Sequence, residues 1–469
     1  MSEPAELAIV LHTHMPYVEG FGTWPFGEEW LWEAAATSYV PLLRLLDELG
    51  EEQARAKLTL SLTPVLCDQL EAPGASERCV SFLRTVRADT HQLEIEEFER
   101  RGDSGVVHEL QRSAAEYASA ADTLERLQDS GGLIRALAPY TSWTSSATHA
   151  ILPLLALHES IELQLRVGIE SHRHRFGEWG GGFWLPECAH APWLHNALVE
   201  AGAHVTCVEF TKLLGRGHRD NLRPHQPDDG PMLVPVDRAI IDLVWGDGGY
   251  PARAAYRDSH RRTHYQHRVW ANDGSVYDAD RARRQAAEDA REFVSAVRDR
   301  LQSGGLCVCA LDTELLGHWW YEGPLWLSAV IDDAQREGLA LTALSAEALA
   351  RHPPTEAGSI DFAAPSSWGA GGDLRTWSAP AVADIVWQAR GAELNSFREH
   401  AQLPSSRALR ELLALQSSDW AFLAHRDWAA DYPRQRASGH AAQLARALKG
   451  ETEEPHVRNL APYLELSYS

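Results

Sequence analysis

The stretch LCVCALDTELLGHWW, residues 306–320, decides the fold class. Its first six residues, Leu306–Leu311, are apolar without alternation. Such a run is how a strand buried on both faces reads, as in a parallel sheet with helices outside. The run stops on Asp312, and Glu314, His318, Trp319 and Trp320 follow at once. Four more short apolar runs end in polar or chemically capable residues: Leu7–Leu11, Leu58–Leu62, Gly182–Leu185 and Val205–Phe210. Helical stretches fall between them at Ser38–Leu49, Pro192–Ala201 and Asp280–Gln302. Strand–helix alternation over roughly 350 residues predicts an α/β barrel or a doubly wound sheet. No G-x-G-x-x-G follows a strand, which disfavours a dinucleotide fold.

Ser76–Leu127 reads as helices charged on one side, a helical excursion from the core at about 76–130. Gly215–Gly230 is rich in Gly, Pro and charge, so a loop insertion is expected at about 212–232. The Pro-rich joint RHPPTEAG, Arg351–Gly358, marks the expected boundary between residues 1–355 and 356–469. Beyond it Ala381–Glu399, Ser406–Ala424 and Gly439–Lys449 read as helices, so an all-helical C-terminal domain is expected.

The 469 residues are 44% hydrophobic and 23% charged, an ordinary globular composition. Lys and Arg number 43 against 66 Asp and Glu, giving a net charge of −23. That charge repels phosphate backbones and anionic lipid, so neither nucleic acid nor a membrane is an expected partner. The 17 Trp outnumber the 12 Tyr and 11 Phe. They are either extra core aromatics or the lining of a cleft, where a flat ring with an N–H suits a sugar face. The opening MSEPAELAIVLHTH puts acids before a short apolar run, unlike a signal peptide. The cysteines Cys67, Cys79, Cys188, Cys207, Cys307 and Cys309 are scattered through apolar runs, as free thiols are in a reducing compartment. A cytoplasmic location is expected.

Four clusters can carry chemistry. LHTHMPYV holds His12 and His14, which period two places on one face of a strand. The pair can bind a metal only with ligands borrowed from elsewhere; hydrogen bonding to substrate is the preferred reading, with a structural role as the other choice. GGFWLPECAH places Glu187 just past a buried strand, beside Trp184, Pro186 and Cys188, and Asp312 ends another. Either acid alone reads as a helix cap. Two acids on separate strands, both flanked by tryptophans, read as a catalytic pair, and glycoside cleavage is the chemistry that needs them. His149, in SSATHAILPLL, reads as structural when taken alone.

In order along the chain, LHTHMPYV, WPFGEEW (Trp24–Trp30), SSATHAILPLL, FWLPECAH, GYP…YRD (Gly249–Asp258), ALDTELLGHWWYEG, SSWGAGG (Ser366–Gly372) and SSDWAFL (Ser417–Leu423) resemble glycoside hydrolase family 57. Within that family the likeness is greatest to the α-1,4-glucan branching enzymes. The resemblance implies an incomplete TIM-like (β/α)7 barrel with a helical C-terminal domain closing the cleft. It implies a retaining enzyme with Glu187 as nucleophile and Asp312 as general acid/base. His12, His14 and His149 would contact the sugar, and Trp30, Trp368 and Trp420 would stack along the glucan. Trp245, Tyr250, His318 and Trp319 belong to motif segments expected to bind substrate. No metal and no cofactor is implied. The expected partner is an α-glucan polysaccharide or oligosaccharide, glycogen-like, and the expected state a monomer or small homo-oligomer.

Two positions depart from the family pattern. The segment VWGDGGYP, Val244–Pro251, is about a residue short, with Gly248 where a lid aromatic is expected. In YQHRV, His267 stands where the family has Trp, and Trp270 three residues later is the candidate replacement. A lid of Asp247, Gly248 and Gly249 offers no ring to cover the cleft and should exclude water poorly. On that ground an α-glucan hydrolase or 4-α-glucanotransferase is the alternative activity.

Overall fold

Strand β1 (Ala5–Thr13) is the centre of the fold in the computed structural model, which describes residues 4–22, 27–355, 364–398, 404–451 and 457–465. Leu7 through Leu11 are fully buried, so the strand cannot lie on a surface. On one edge it pairs in parallel with β7 (Gly305–Asp312), with His12 opposite Asp312. On the other it pairs in parallel with β2 (Leu58–Leu62) from Ile9 to Thr13. The sheet continues through β3 (Thr141–Ser145) to β4 (Phe183–Trp184). A second parallel pair, β5 (Val205–Val208) and β6 (Met232–Pro235), fills the gap between β4 and β7.

The ring closes at two narrow seams. Gly182 bridges to Val205 beside β4, and the Asp237 N–H donates to the Val308 carbonyl at 2.8 Å beside β6. Seven parallel strands thus follow one another in chain order, the (β/α)7 arrangement that the apolar runs point to. The short strand β8 (Ala340–Leu341) pairs with β1 at Glu6 and Leu7, on the edge that β2 leaves uncovered.

The outer helices carry their own local signals. Asp278 caps Ala279–Arg300 by accepting from the Asp280 and Arg281 N–H groups. Asp237 does the same for Arg238–Trp245. The excursion consists of helices Ala75–Phe82, Ala88–Arg101 and Ser104–Gln128. The segment at 212–232 contains a short helical turn, Arg219–Leu222, and leads into β6. After residue 364 the longer elements are helices Ala383–Arg398, Ser406–Leu415, Ser418–Arg426 and Tyr432–Leu448. The helix expected over Ser406–Ala424 is therefore two, broken between Leu415 and Ser418. The expected boundary at 355/356 and Trp24 of the WPFGEEW motif lie at or outside the limits of the described residues. Among the described residues no helix is long and apolar enough to cross a membrane. All six cysteines are buried free thiols.

Candidate active site

Glu187 follows β4 in a tight turn, Pro186–Cys188, and its backbone is left-handed at φ 60° and ψ 23°. Cys188 is left-handed too, at φ 50°. For residues with a Cβ this costs about 1–2 kcal/mol each, so the surroundings must impose it. They do so by hydrogen bonds. Cys188 N–H donates to Leu185 O at 2.9 Å, and Trp368 N–H donates to Glu187 O at 3.0 Å. His190 and Ser366 exchange a reciprocal backbone pair beside them. The result points the Glu187 carboxyl into a cleft, where the Trp368 indole N–H donates to Oε2 at 2.7 Å.

Asp312 is the last residue of β7, next to His12 across the parallel ladder. Its side chain is solvent-accessible in the same cleft, whose walls still partly desolvate it. Burial pushes both carboxyls above the usual carboxylate range; for Glu187 the Asp312 charge adds to the rise, and the Trp368 N–H opposes it.

Three histidines lie beside the acids. His12 Nε2 and His149 Nε2 share a hydrogen bond at 3.0 Å, and the His14 and His149 rings stack at 3.9 Å. His149, itself left-handed at φ 58°, bonds through Nδ1 to Ser418 Oγ at 2.9 Å. The Asp419 carboxylate accepts from His14 Nε2–H at 3.0 Å, and His14 Nδ1 shares a hydrogen bond with the Thr63 hydroxyl at 3.2 Å. Burial holds His12 and His149 well below their usual value, so both are neutral hydrogen-bonding groups. Glu314 completes the floor, accepting from Tyr39 Oη at 2.6 Å and the His14 N–H at 3.1 Å. Burial raises it to about 8.

The cleft has a volume of about 1630 Å³, room for several sugar rings. It brings together Glu187, Asp312, His12, His14, His149, Trp30, Trp245, His318, Trp319 and Trp368, all expected from the sequence to form the site. Two expected residues are elsewhere. Tyr250 is buried against Trp320 and Trp326 in the barrel core. Trp420 is fully buried among the C-terminal helices, its indole N–H donating to Ala414 O at 2.7 Å and its ring under Arg436. Both are framework, not contacts for a ligand.

Ser418 and Asp419, which reach the histidines from the helix Ser418–Arg426, escape sequence reasoning although SSDWAFL marks the helix. Trp428 lines the cleft with more than half of its surface exposed. Trp270 does not replace the aromatic absent at His267; it packs on Ile95, Phe98 and Val106 of the excursion, with Arg261 over its ring. His267 itself lines the cleft, buried against His91. The Val244–Pro251 segment is a tight turn closed by Gly249 N–H to Gly246 O at 2.9 Å. A Cβ on Gly249 would meet Val244 O at 2.6 Å, whereas Gly248, at φ 76°, faces open space.

Residues 141–361 match the family profile described as glycosyl hydrolase family 57, and residues 393–461 match that described as 1,4-alpha-glucan branching enzyme, C-terminal. A probable 1,4-alpha-glucan branching enzyme of Mycobacterium tuberculosis is 32% identical over 93% of this chain and 90% of its own. The solved family 57 branching enzyme of the archaeon Pyrococcus horikoshii superposes with a TM-score of 0.85 at 28% identity, covering 99% of this chain and 94% of that one. The alpha-amylase AmyC of Thermotoga maritima shares the fold, with a TM-score of 0.76 at 22% identity over 100% and 97% of the two chains. With a relative this similar along nearly its whole length, the chain belongs to glycosyl hydrolase family 57.

Proposed function

We infer that this protein is a 1,4-α-glucan branching enzyme acting by retaining double displacement. The observation that carries the reading is the placement of Glu187 and Asp312 at the ends of β4 and β7, facing one aromatic cleft. The match of the C-terminal helices to the branching-enzyme profile supports the specific activity.

Glu187 attacks the anomeric carbon while Asp312 gives its proton to the departing glycosidic oxygen. The Trp368 N–H holds Glu187 in place and favours its ionised form. Asp312, now a carboxylate, takes the proton of an incoming glucose 6-hydroxyl, whose oxygen displaces Glu187 from the sugar. One α-1,4 bond is lost, one α-1,6 bond forms, and both acids return to their starting state. The neutral His12 and His149 spend their ring nitrogens on each other, Ser61 and Ser418, and so shape the cleft wall beside the reacting carbon. If water takes the place of the 6-hydroxyl the outcome is hydrolysis, which the open turn at Gly248 favours.

The same reading extends to substrate, location and domain division. The enzyme takes a glycogen-like substrate, acts in the cytoplasm, as the buried free thiols support, and divides into two domains near residue 355. Incubation with amylose tests the activity. Loss of iodine staining, few new reducing ends, and α-1,6 linkages released by a debranching enzyme are expected. Iodine loss matched by reducing ends, with no α-1,6 linkage, would assign a hydrolase instead.

A further inference from the structure

The cleft wall beneath the helical excursion carries several arginines, and most of them are neutralised. Arg87 pairs with Glu33 at 3.0 Å, Arg112 with Glu109 at 2.6 Å, and Arg257 with Glu109 as well. Glu116, which also faces the cleft, pairs with Arg112. Arg262 and Arg268 differ. Among the described residues neither has a carboxylate within ion-pair distance. Arg268 donates one hydrogen bond, from Nη1 to the His318 carbonyl at 2.6 Å, and Arg262 donates one long one to Ser259 O at 3.4 Å. Each guanidinium has five N–H donors, so most remain unused.

The two charges also act on each other. Burial, then the charge of Arg262, pushes Arg268 down to about 10, although Tyr117 and Glu33 pull the other way. Both side chains line the glucan cleft with His318 and Trp319, and Trp319 keeps part of its ring open to the cleft. A sugar hydroxyl can accept from a guanidinium but leaves this repulsion in place. An oxyanion accepts the same hydrogen bonds and cancels the repulsion, in charge-assisted bonds about twice as strong. The setting is unusual for a chain whose net charge is −23.

We propose that Arg262 and Arg268 form a subsite for an oxyanion, a phosphate or carboxylate group carried on the glucan chain, held beside the Trp319 ring. The proposal rests on the cleft being the glucan site. It makes the enzyme selective among chains that share the same α-1,4 backbone.

The test compares three maltoheptaoses: the neutral chain, the chain oxidised to a carboxylate at its reducing end, and the chain bearing a 6-phosphate. Turnover is measured for each, and binding is followed separately by tryptophan fluorescence. At least one anionic chain is expected to show a KM about tenfold below the neutral one, the worth of one charge-assisted hydrogen bond. Which chain gains distinguishes carboxylate from phosphate. Arg262→Gln and Arg268→Gln should each bring the ratio of the two KM values close to one, and Arg262→Lys should restore part of it. Inorganic phosphate should compete with the favoured chain. Equal KM and equal binding for all three chains in the wild-type protein would overturn the proposal, as would phosphate binding without any preference for an anionic chain. Failure to turn over the neutral chain would count against the branching activity instead, and the fluorescence comparison would still decide the subsite.

Discussion

Trp368 holds Glu187 at two points, its indole N–H on Oε2 at 2.7 Å and its backbone N–H on the carbonyl oxygen at 3.0 Å. A hydrogen bond to the charged form of an acid lowers its pKa and fixes its direction. Trp368→Phe keeps the ring and the backbone contact but removes the side-chain donor. A bond to a charged group is worth about 1.5–3 kcal/mol, so kcat is expected to fall about tenfold to a hundredfold. Because the lost bond favoured the carboxylate, the acidic limb of the pH–rate profile should move to higher pH. An unshifted limb with normal kcat would show that the bond plays no part in turnover.

Glu187→Gln and Asp312→Asn are each expected to lower turnover of amylose by about two or more orders of magnitude while leaving the fold intact. Circular dichroism and melting checks the fold, and reducing-end release together with branch formation checks the chemistry. Retention of more than roughly a tenth of wild-type turnover by either variant would sink its assignment.

Trp420 and Trp30 should separate cleanly. Trp420→Ala removes a fully buried ring, its bond to Ala414 and its contact with Arg436, so stability should fall by about 3–5 kcal/mol. Trp30 is only half-buried at the cleft, and Trp30→Ala should raise the KM for glucan while changing Tm little. The reverse pattern would return Trp420 to the substrate and Trp30 to the core.

Gly248→Tyr is expected to raise the ratio of branching to hydrolysis. Space is open above Gly248, although its φ of 76° will cost a side chain about 1–2 kcal/mol. Paired assays of reducing ends and α-1,6 linkages give the ratio directly. Almost pure transfer in the wild-type protein would mean that another ring shields the site. Trp428, exposed on the cleft, is then the residue whose change to Ala should release hydrolysis.

Stability should fall as pH rises from about 6.5 to 8. Burial holds Glu314 and Glu411 up at about 8, far above an unfolded glutamate, so their contribution is complete at low pH and is lost as pH rises through 8. Below about 6.5 the buried histidines His91, His172 and His318, held down at about 4, 4 and 3, act in the opposite sense. The window above that value is therefore set by the acids, each contributing at most about 1.4 kcal/mol per pH unit. Glu411→Gln, remote from the cleft, should flatten the decline of Tm. A Tm that rises over this window would contradict the assignment.

How legible the molecule is in its sequence depends on which side chains do the burying. The apolar runs in β1, β2 and β7 predict the strands to within two residues at each end. β3 is polar, TSWTS, because Thr144 and Ser145 bond to the Gly168 and Trp184 carbonyls instead of packing as hydrocarbon. No hydropathy pattern reveals such a strand. At the site, acids that end apolar runs stand out, whereas Asp419 looks like an ordinary acid in the first turn of a helix. Its neighbour Trp420 shows the complementary error. Successive helical residues point about 100° apart, so Asp419 faces the cleft and Trp420 the core, and a motif that contains both cannot say which is which.

The bonds from His14 to Asp419 and from His149 to Ser418 span 405 and 269 residues of chain. During synthesis the barrel strands leave the ribosome long before the helix that carries Ser418 and Asp419. Domains of nascent chains fold from the N-terminal end first, at roughly 5–20 residues per second. A barrel that has closed while the last helices are still being made therefore holds both carboxyls and keeps His12 on Ser61 and His14 on Thr63, but lacks the Asp419 and Ser418 partners of His14 and His149. The site gains its last hydrogen bonds only when translation is nearly finished, and an abortive product that stops before residue 418 lacks both of them.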